Sequence, residues 1–195
     1  MDRERSGYDA ALMQHVDDAT WATPVAGRNL SGATFGEQIT RPALVCFLRH
    51  LGCVFCREMV RDVRRAAETC DPFPPVLLVH QGDVAAGDEF FARFWPGAAA
   101  ISDPGRALYR AFDIGRASIG QGFGPMVWTC ALRAVAKGNT IGKMAGDPWL
   151  MPGAFLIAPD RRVGWQHTFR HVADHPDWTS LPLAMRSDSS PAGAG

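Results

Sequence analysis

The sequence lacks several features that would assign the protein to a class at once. No apolar run approaches the roughly 18 residues that a membrane span needs. The charged N-terminus, Met1 to Arg5, is followed by no apolar segment of the kind found in secretory signals. The 20 basic and 20 acidic residues cancel, so no polybasic surface for nucleic acid or anionic lipid is expected. These absences favour a cytoplasmic protein that binds neither membranes nor nucleic acids.

The chain also lacks internal repeats, and its cysteines do not fit a secreted disulfide framework, because their number, five, is odd. A length of 195 residues is most simply one domain with a full hydrophobic core. We expect an N-terminal extension over residues 1–18 and the domain over residues 19–186. The small and polar residues 187–195 are expected to form a disordered tail.

Apolar patterns and turn residues predict an alternation of strands and helices along the domain. The predicted strands cover residues 43–48, 76–79, 98–102, 154–158 and 163–169, and the predicted helices cover residues 54–69, 83–94, 107–112 and 125–137. The last two strands flank a short turn and therefore predict an antiparallel hairpin. The order indicates an α/β domain with a mixed central sheet flanked by helices, and a late hairpin of this kind is characteristic of the thioredoxin fold.

A Cys-x-x-Cys motif lies where the first of these strands turns into the first long helix. Cys53 and Cys56 share one face of the helix's first turn and meet its unsatisfied N–H groups. The positive end of the helix dipole favours a thiolate and lowers the pKa of the first cysteine. A strand, a Cys-x-x-Cys turn and a helix together indicate a redox site.

Three other interpretations of the motif are open from the residues alone. A zinc site needs about four ligands, and beyond His50 no fourth is evident nearby. A structural disulfide is disfavoured in a reducing compartment. Two incidental buried cysteines are a further alternative, since free cysteine is often buried, but their position at a helix start argues against it. We therefore expect no metal and no bound cofactor.

Basic residues flank the two thiols. Arg49, His50 and Arg57 would favour a thiolate if they lie within a few ångströms, and His50 could relay a proton. The alternative for each is a solvated charge at a strand end or on a helix surface. We expect no redox role for the remaining thiols, which are Cys46, Cys70 and Cys130.

Three segments together resemble a known family. They are Phe47 to Arg57 around the two thiols, Ile101 to Pro104 (Ile-Ser-Asp-Pro), and Gly146 to Ile157. They resemble the peroxiredoxin-like branch of the thioredoxin superfamily, the AhpC/TSA-type antioxidant family that also contains the prostamide/prostaglandin F synthases. The resemblance extends over about residues 21–177. It implies a thioredoxin-like fold and a thiol-dependent reduction of peroxides, with thioredoxin or a low-molecular-weight thiol as electron donor.

Pro152 stands directly before a predicted buried strand. From base rates the Met151–Pro152 bond is trans, because only about 5–6% of X–Pro bonds are cis. The family resemblance implies the opposite, since in thioredoxin-fold proteins the proline at this position is typically cis and faces the Cys-x-x-Cys turn. Pro152 is therefore expected to be cis and to shape the site.

The two templates within the resemblance assign the attacking thiol differently. Ordinary peroxiredoxins carry Pro-x-x-x-Thr-x-x-Cys, which places Cys53 at the Thr position and Cys56 at the peroxidatic position. The thioredoxin template makes Cys53 the attacking thiol and Cys56 the resolving one. We favour Cys53, which lies nearer the helix start and is expected to be more exposed. Disulfide exchange, or a redox-silent binding role, are the alternatives to peroxide reduction.

Overall fold

The computed structural model describes residues 15–116 and 146–181. Its strands are Ala26–Arg28 (β1), Ala43–Phe47 (β2), Val76–His80 (β3), Ala99–Ser102 (β4), Gly153–Ile157 (β5) and Val163–His167 (β6). Its α-helices are Asp18–Trp21 (α1), Val54–Thr69 (α2), Val84–Phe94 (α3) and Ala107–Ala111 (α4). Among these residues no helix is long and apolar enough to cross a membrane.

The strands form one mixed sheet in the order β1-β4-β3-β2-β5-β6. Strands β2, β3 and β4 are parallel, whereas β1, β5 and β6 each pair antiparallel with their neighbours. Parallel neighbours need a crossover connection, and α2 and α3 supply these crossovers. The predicted mixed α/β fold, including the closing antiparallel hairpin, is confirmed.

The central strand β2 is apolar throughout because both faces of the sheet are covered there. Alternate residues of β2 point to opposite faces. Leu44 and Cys46 belong to the core on the side of α2 and α3, whereas Val45 and Phe47 belong to the core on the side of α4. All five residues of β2 are buried. A rigid, fully buried strand therefore leads directly to the Cys-x-x-Cys motif.

The predicted elements within the described residues agree with the observed ones to within two residues at each end, and α2 covers the predicted residues from Val54 to Thr69. Helix α3 begins one residue later than predicted because the Asp83 carboxylate accepts a hydrogen bond from the Ala86 N–H and so caps the helix. The predicted helix over 125–137 and the tail over 187–195 lie outside the described residues. The division into extension, domain and tail stays a prediction.

Tyr109 on α4 connects the two central parallel strands beneath the site. Its side chain is fully buried, and its hydroxyl donates to the carbonyl oxygens of Leu48 and Val79, the latter at 3.1 Å. Burial raises the pKa of the phenol well above its ordinary value, so the hydroxyl remains a donor. One side chain thus joins the carboxyl end of β2 to that of β3.

Replacing Tyr109 with Phe should lower the free energy of unfolding by about 1–3 kcal/mol, because it removes the only described side-chain donor to two buried carbonyl groups. Chemical denaturation with an unchanged m-value would measure this loss. A loss below about 0.5 kcal/mol would show that the phenol hydroxyl contributes little to joining the strands.

Candidate active site

The two thiols of the motif occupy the start of α2. Cys53 is the N-cap residue, with extended backbone angles, and Cys56 lies in the first turn. Cys53 is 5% exposed and Cys56 is 2% exposed, so both are buried and Cys53 is only slightly the more accessible. Both are free thiols. The sequence expectation that the motif opens the helix is therefore confirmed.

Arg49 is the cation in direct contact with the motif. Its Nη1 lies 3.5 Å from the Cys53 sulfur, and the residue is 8% exposed. Its Nε donates to the carbonyl oxygen of Leu150 at 2.8 Å, and its Nη2 donates to that of Pro148. The expected arginine beside the thiols is thus present, and its guanidinium is held by a segment about a hundred residues away in sequence.

The environments of the two sulfurs push their pKa values apart. A hydrogen bond from the Cys56 thiol, the charge of Arg49 and the N–H groups of the first helical turn lower the pKa of Cys53 to about 6, against the effect of burial. The Cys53 side chain forms no regular capping hydrogen bond with these N–H groups, so they contribute through their positive charge. Burial, with the neighbouring Cys53, raises the pKa of Cys56 well above its ordinary value. The pair is therefore poised as a Cys53 thiolate beside a Cys56 thiol.

His50 does not act as the expected cation. Burial and the nearby charges of Arg49 and Arg57 lower the pKa of His50 to about 4, so the imidazole is neutral at pH 7. Its Nδ1 is buried and has no hydrogen-bond partner among the described residues. The sequence shows that His50 precedes the motif, but it could not show that burial and two nearby arginines keep its imidazole neutral.

Arg57 directly follows Cys56 in α2, and its guanidinium is 5.3 Å from the centre of the Phe94 ring. Arg61 and Arg93 approach the same ring at 5.3 Å and 5.4 Å. Burial and these two arginines lower the pKa of Arg57, while the charges of both thiols favour its charged form. Arg57 therefore contributes to the field at the thiols rather than pointing into open solvent.

A groove opens beside the motif, between α2 and α3. Its cavity volume is about 310 Å³, and its lining combines aromatic rings with both signs of charge. Leu51 and Arg57, which flank the two cysteines in sequence, lie on its wall. The groove thus brings solvent-accessible space to the edge of the buried pair.

The segment from Gly146 to Leu150 closes the other side of the site, and Gln81 connects it to Arg49. The Gln81 amide nitrogen donates to the carbonyl oxygen of Arg49, and its amide oxygen accepts from the Asp147 N–H at 2.8 Å. Sequence analysis did not predict a role for Gln81 or Asp147. The only available signal was that Gln81 follows the carboxyl end of a buried parallel strand.

Pro152 requires a correction. The Met151–Pro152 bond is not cis; among the described residues the cis bond is Asp71–Pro72. Pro152 is buried and precedes Gly153, which pairs with Phe47 at the carboxyl end of β2. The register places Pro152 at the correct end of the sheet, but β5 enters with the ordinary trans geometry that base rates favour.

The remaining cysteines lie apart from this pair. Cys46 is fully buried in β2, and burial raises the pKa of its thiol. Cys70 is the C-cap residue of α2, and it is partly exposed. Cys130 lies outside the described residues. Within residues 15–116 and 146–181, no group of three or more His, Cys, Asp or Glu side chains is close enough to hold a metal ion.

The model of the AhpC/TSA antioxidant enzyme family matches residues 66–171, more than half of the 195 residues. The chain belongs to the AhpC/TSA antioxidant enzyme family. The match begins after both thiols of the motif, so the roles of Cys53 and Cys56 depend on the geometry described above. No curated protein sequence matches the chain.

Solved structures confirm the thioredoxin-like fold of this AhpC/TSA family member. The bacterioferritin comigratory protein of Xanthomonas campestris, described for its alkyl peroxide reduction activity, is 18% identical, with a TM-score of 0.64 over 93% of this chain and 99% of that one. A structure of peroxiredoxin Q from the same organism is 20% identical, with a TM-score of 0.61 over 92% and 98%. A secreted disulfide oxidoreductase of Mycobacterium tuberculosis is 14% identical, with a TM-score of 0.51 over 88% and 99%.

Replacing Arg49 with Gln should raise the pKa of Cys53 by about 1–2 units, because the substitution removes the cation nearest to the thiolate. The pH dependence of Cys53 alkylation by iodoacetamide, followed by peptide mass spectrometry, measures this change. The exposed Arg41→Gln variant is the matched control and should keep the wild-type midpoint. Equal midpoints in all three proteins would show that Arg49 does not stabilise the thiolate.

The buried imidazoles predict an acid-sensitive fold. Burial lowers the pKa of His80 to about 4, and His80 is 1% exposed. Since an unfolded histidine has a pKa near 6.5, the unfolded state binds more protons than the folded state between these values. The contribution of a neutral His80 to the free energy of unfolding is therefore fully present above about pH 6.5 and is lost as the pH falls toward 4.

Between pH 7.5 and pH 5, the free energy of unfolding of His80→Gln should fall by about 2 kcal/mol less than that of the wild-type protein. Urea unfolding at a series of pH values tests this. The exposed His15→Gln variant should keep the wild-type slope. Parallel pH profiles for wild type and His80→Gln would contradict the assignment of a neutral, buried imidazole.

Proposed function

We propose that this AhpC/TSA family member reduces hydroperoxides, with Cys53 as the attacking thiolate and Cys56 as the resolving thiol. One observation carries the proposal. The Cys53 sulfur, at the N-cap of α2, lies 3.5 Å from the Arg49 guanidinium, with Cys56 in the first turn of the same helix. A thiolate is thereby stabilised next to the thiol that will later form a disulfide with it.

In the first step the Cys53 thiolate attacks one peroxide oxygen and the O–O bond breaks. The sulfur is oxidised to a sulfenic acid, and the other oxygen leaves as an alkoxide or hydroxide. We assign to the Cys56 thiol, which lies in the first turn of the same helix, the proton that this leaving oxygen takes up. Cys56 thus becomes a thiolate when the next step requires one.

Arg49 supplies donors to this step. A guanidinium has five N–H groups, and contacts within the described part of the chain engage three of them: with Leu150, Pro148 and the Cys53 sulfur. The other two are the groups we assign to the negative charge that develops on the leaving oxygen. Arg49 therefore stabilises both the attacking thiolate and the departing oxygen.

In the second step the Cys56 thiolate attacks the Cys53 sulfur, and the hydroxide that leaves takes a proton from solvent to form water. The Cys53–Cys56 disulfide must then be reduced by an external dithiol, or by two equivalents of a low-molecular-weight thiol. Thioredoxin is the protein donor that we propose, and the reducing cytoplasm is the compartment in which such a cycle runs. No bound cofactor takes part in these steps.

Thiol–disulfide exchange is the second candidate function, because the same thiolate could attack a disulfide sulfur. The fold is shared with the secreted disulfide oxidoreductase of Mycobacterium tuberculosis as well as with peroxiredoxin Q. Family membership supports the peroxidase. Comparing hydroperoxide consumption with insulin disulfide reduction distinguishes the two activities. A redox-silent binding role is the least supported, since both thiols are present and electronically differentiated.

Cys53→Ser should abolish turnover of hydrogen peroxide and cumene hydroperoxide with dithiothreitol or thioredoxin as reductant. Without a reductant, Cys56→Ser should consume about one equivalent of peroxide and stop at the Cys53 sulfenic acid, which dimedone labelling detects. Cys70→Ser is the matched control and should retain wild-type turnover.

Peptide mapping of the oxidised wild-type protein should find a Cys53–Cys56 disulfide. If Cys53→Ser still consumes one equivalent of peroxide while Cys56→Ser consumes none, Cys56 is the attacking thiol. If neither single variant loses turnover of hydroperoxide, the proposed function is wrong.

A further inference from the structure

Gln81 binds the two segments that enclose the Cys53 thiolate. It follows β3 directly and is 5% exposed. Its amide nitrogen donates to the carbonyl oxygen of Arg49 and also to that of Asp147, the latter at 3.3 Å. Its amide oxygen accepts from the Asp147 N–H at 2.8 Å. A single buried amide thus joins Arg49, four residues before Cys53, to the segment that closes the other side of the site.

Asp147 fixes that segment from the other side. Its carboxylate accepts the Trp149 N–H at 2.9 Å and forms ion pairs with Arg106 at 3.2 Å and Arg116 at 3.5 Å. The side chain is 15% exposed, so these ion pairs are partly shielded from water. The turn of residues 147–150 is therefore held both through its backbone and through its carboxylate.

Gly146 permits the close approach of this segment to Gln81. Its φ of +107° lies in the region that side chains rarely adopt, and a Cβ there would lie 2.6 Å from the Gln81 Cβ. The pairing of Gln81 with the Asp147 backbone therefore depends on a glycine at position 146.

The contacts form a closed circuit around Arg49. Gln81 binds the Arg49 backbone and the Asp147 backbone, and the same segment supplies the Pro148 and Leu150 carbonyl oxygens that bind the Arg49 guanidinium. A long arginine side chain has many rotamers, and two of its N–H-bearing nitrogens, Nε and Nη2, are fixed only while these carbonyls remain in place. The Arg49 position therefore depends on residues that never touch sulfur.

We propose that Gln81 and Asp147 are positioning residues that hold the Arg49 guanidinium against the Cys53 sulfur and so keep Cys53 reactive. Their place in peroxide turnover depends on the proposed function. Their effect on the thiolate does not, because it concerns the resting site before any substrate arrives.

The test replaces Gln81 with Met, which has a similar size and no hydrogen-bonding amide. The pH midpoint of Cys53 alkylation by iodoacetamide should rise by about one unit, so that alkylation at pH 6 slows about fivefold while the rate at high pH is unchanged. Gln166→Met on β6 is the matched control. The Gln166 amide oxygen has no partner among the described residues, and this variant should keep the wild-type midpoint.

A second variant tests the donor of the Gln81 amide separately from its acceptor. Gln81→Glu retains an acceptor for the Asp147 N–H but cannot donate to the Arg49 carbonyl when ionised, and its charge competes for the guanidinium. It should raise the midpoint at least as much as Gln81→Met. Thermal unfolding of each variant reports any general loss of stability separately from the alkylation midpoint.

Two outcomes distinguish a failure of the positioning role from a failure of the proposed peroxidase function. If both Gln81 variants unfold at lower temperature but keep the wild-type alkylation midpoint, Gln81 is merely structural and the positioning role is overturned. If the midpoint shifts as expected while the wild-type protein consumes no hydroperoxide, the positioning role stands and only the proposed peroxidase function fails.

Discussion

The contact between the Arg49 guanidinium and the Cys53 sulfur is the interaction on which the site depends. A guanidinium that is only 8% exposed is costly unless its N–H groups are satisfied and its charge is balanced. Backbone carbonyls of Pro148 and Leu150 satisfy part of that need, and a thiolate on Cys53 balances the charge. The arginine and the thiolate therefore stabilise each other, and removing either leaves the other buried without compensation.

The mixed sheet is what brings these partners together. Parallel pairing places the carboxyl ends of β2 and β3 side by side, so that Arg49 and Gln81 follow neighbouring strands. Antiparallel pairing of β5 with β2 brings the start of β5, and the turn before it, to the same end. A fully parallel sheet would place the start of its strand at the opposite end, away from the thiols.

Local patterns were sufficient to predict the elements and the dithiol, because helix periodicity, strand burial and the helix start are properties of adjacent residues. The bounds of α2 and the position of Cys53 at its N-terminus follow from such patterns. The roles of Gln81 and Asp147 do not, since their contacts join segments 66 residues apart. The neutrality of His50 likewise depends on burial and on the charges of Arg49 and Arg57. The geometry before Pro152 was mispredicted from a family resemblance rather than from its own residues.

In the proposed cycle, the lowered pKa of Cys53 also has a thermodynamic consequence for the Cys53–Cys56 dithiol/disulfide couple. Stabilising the thiolate stabilises the reduced protein relative to its disulfide. This raises the reduction potential of the couple by about 30 mV for each tenfold change in the equilibrium constant between the two forms. The same thiolate is then the better leaving group when a donor attacks Cys56. In that cycle, the arginine that speeds oxidation of the site by a peroxide would also make its disulfide a stronger oxidant, which a modest thiol donor could return to the dithiol.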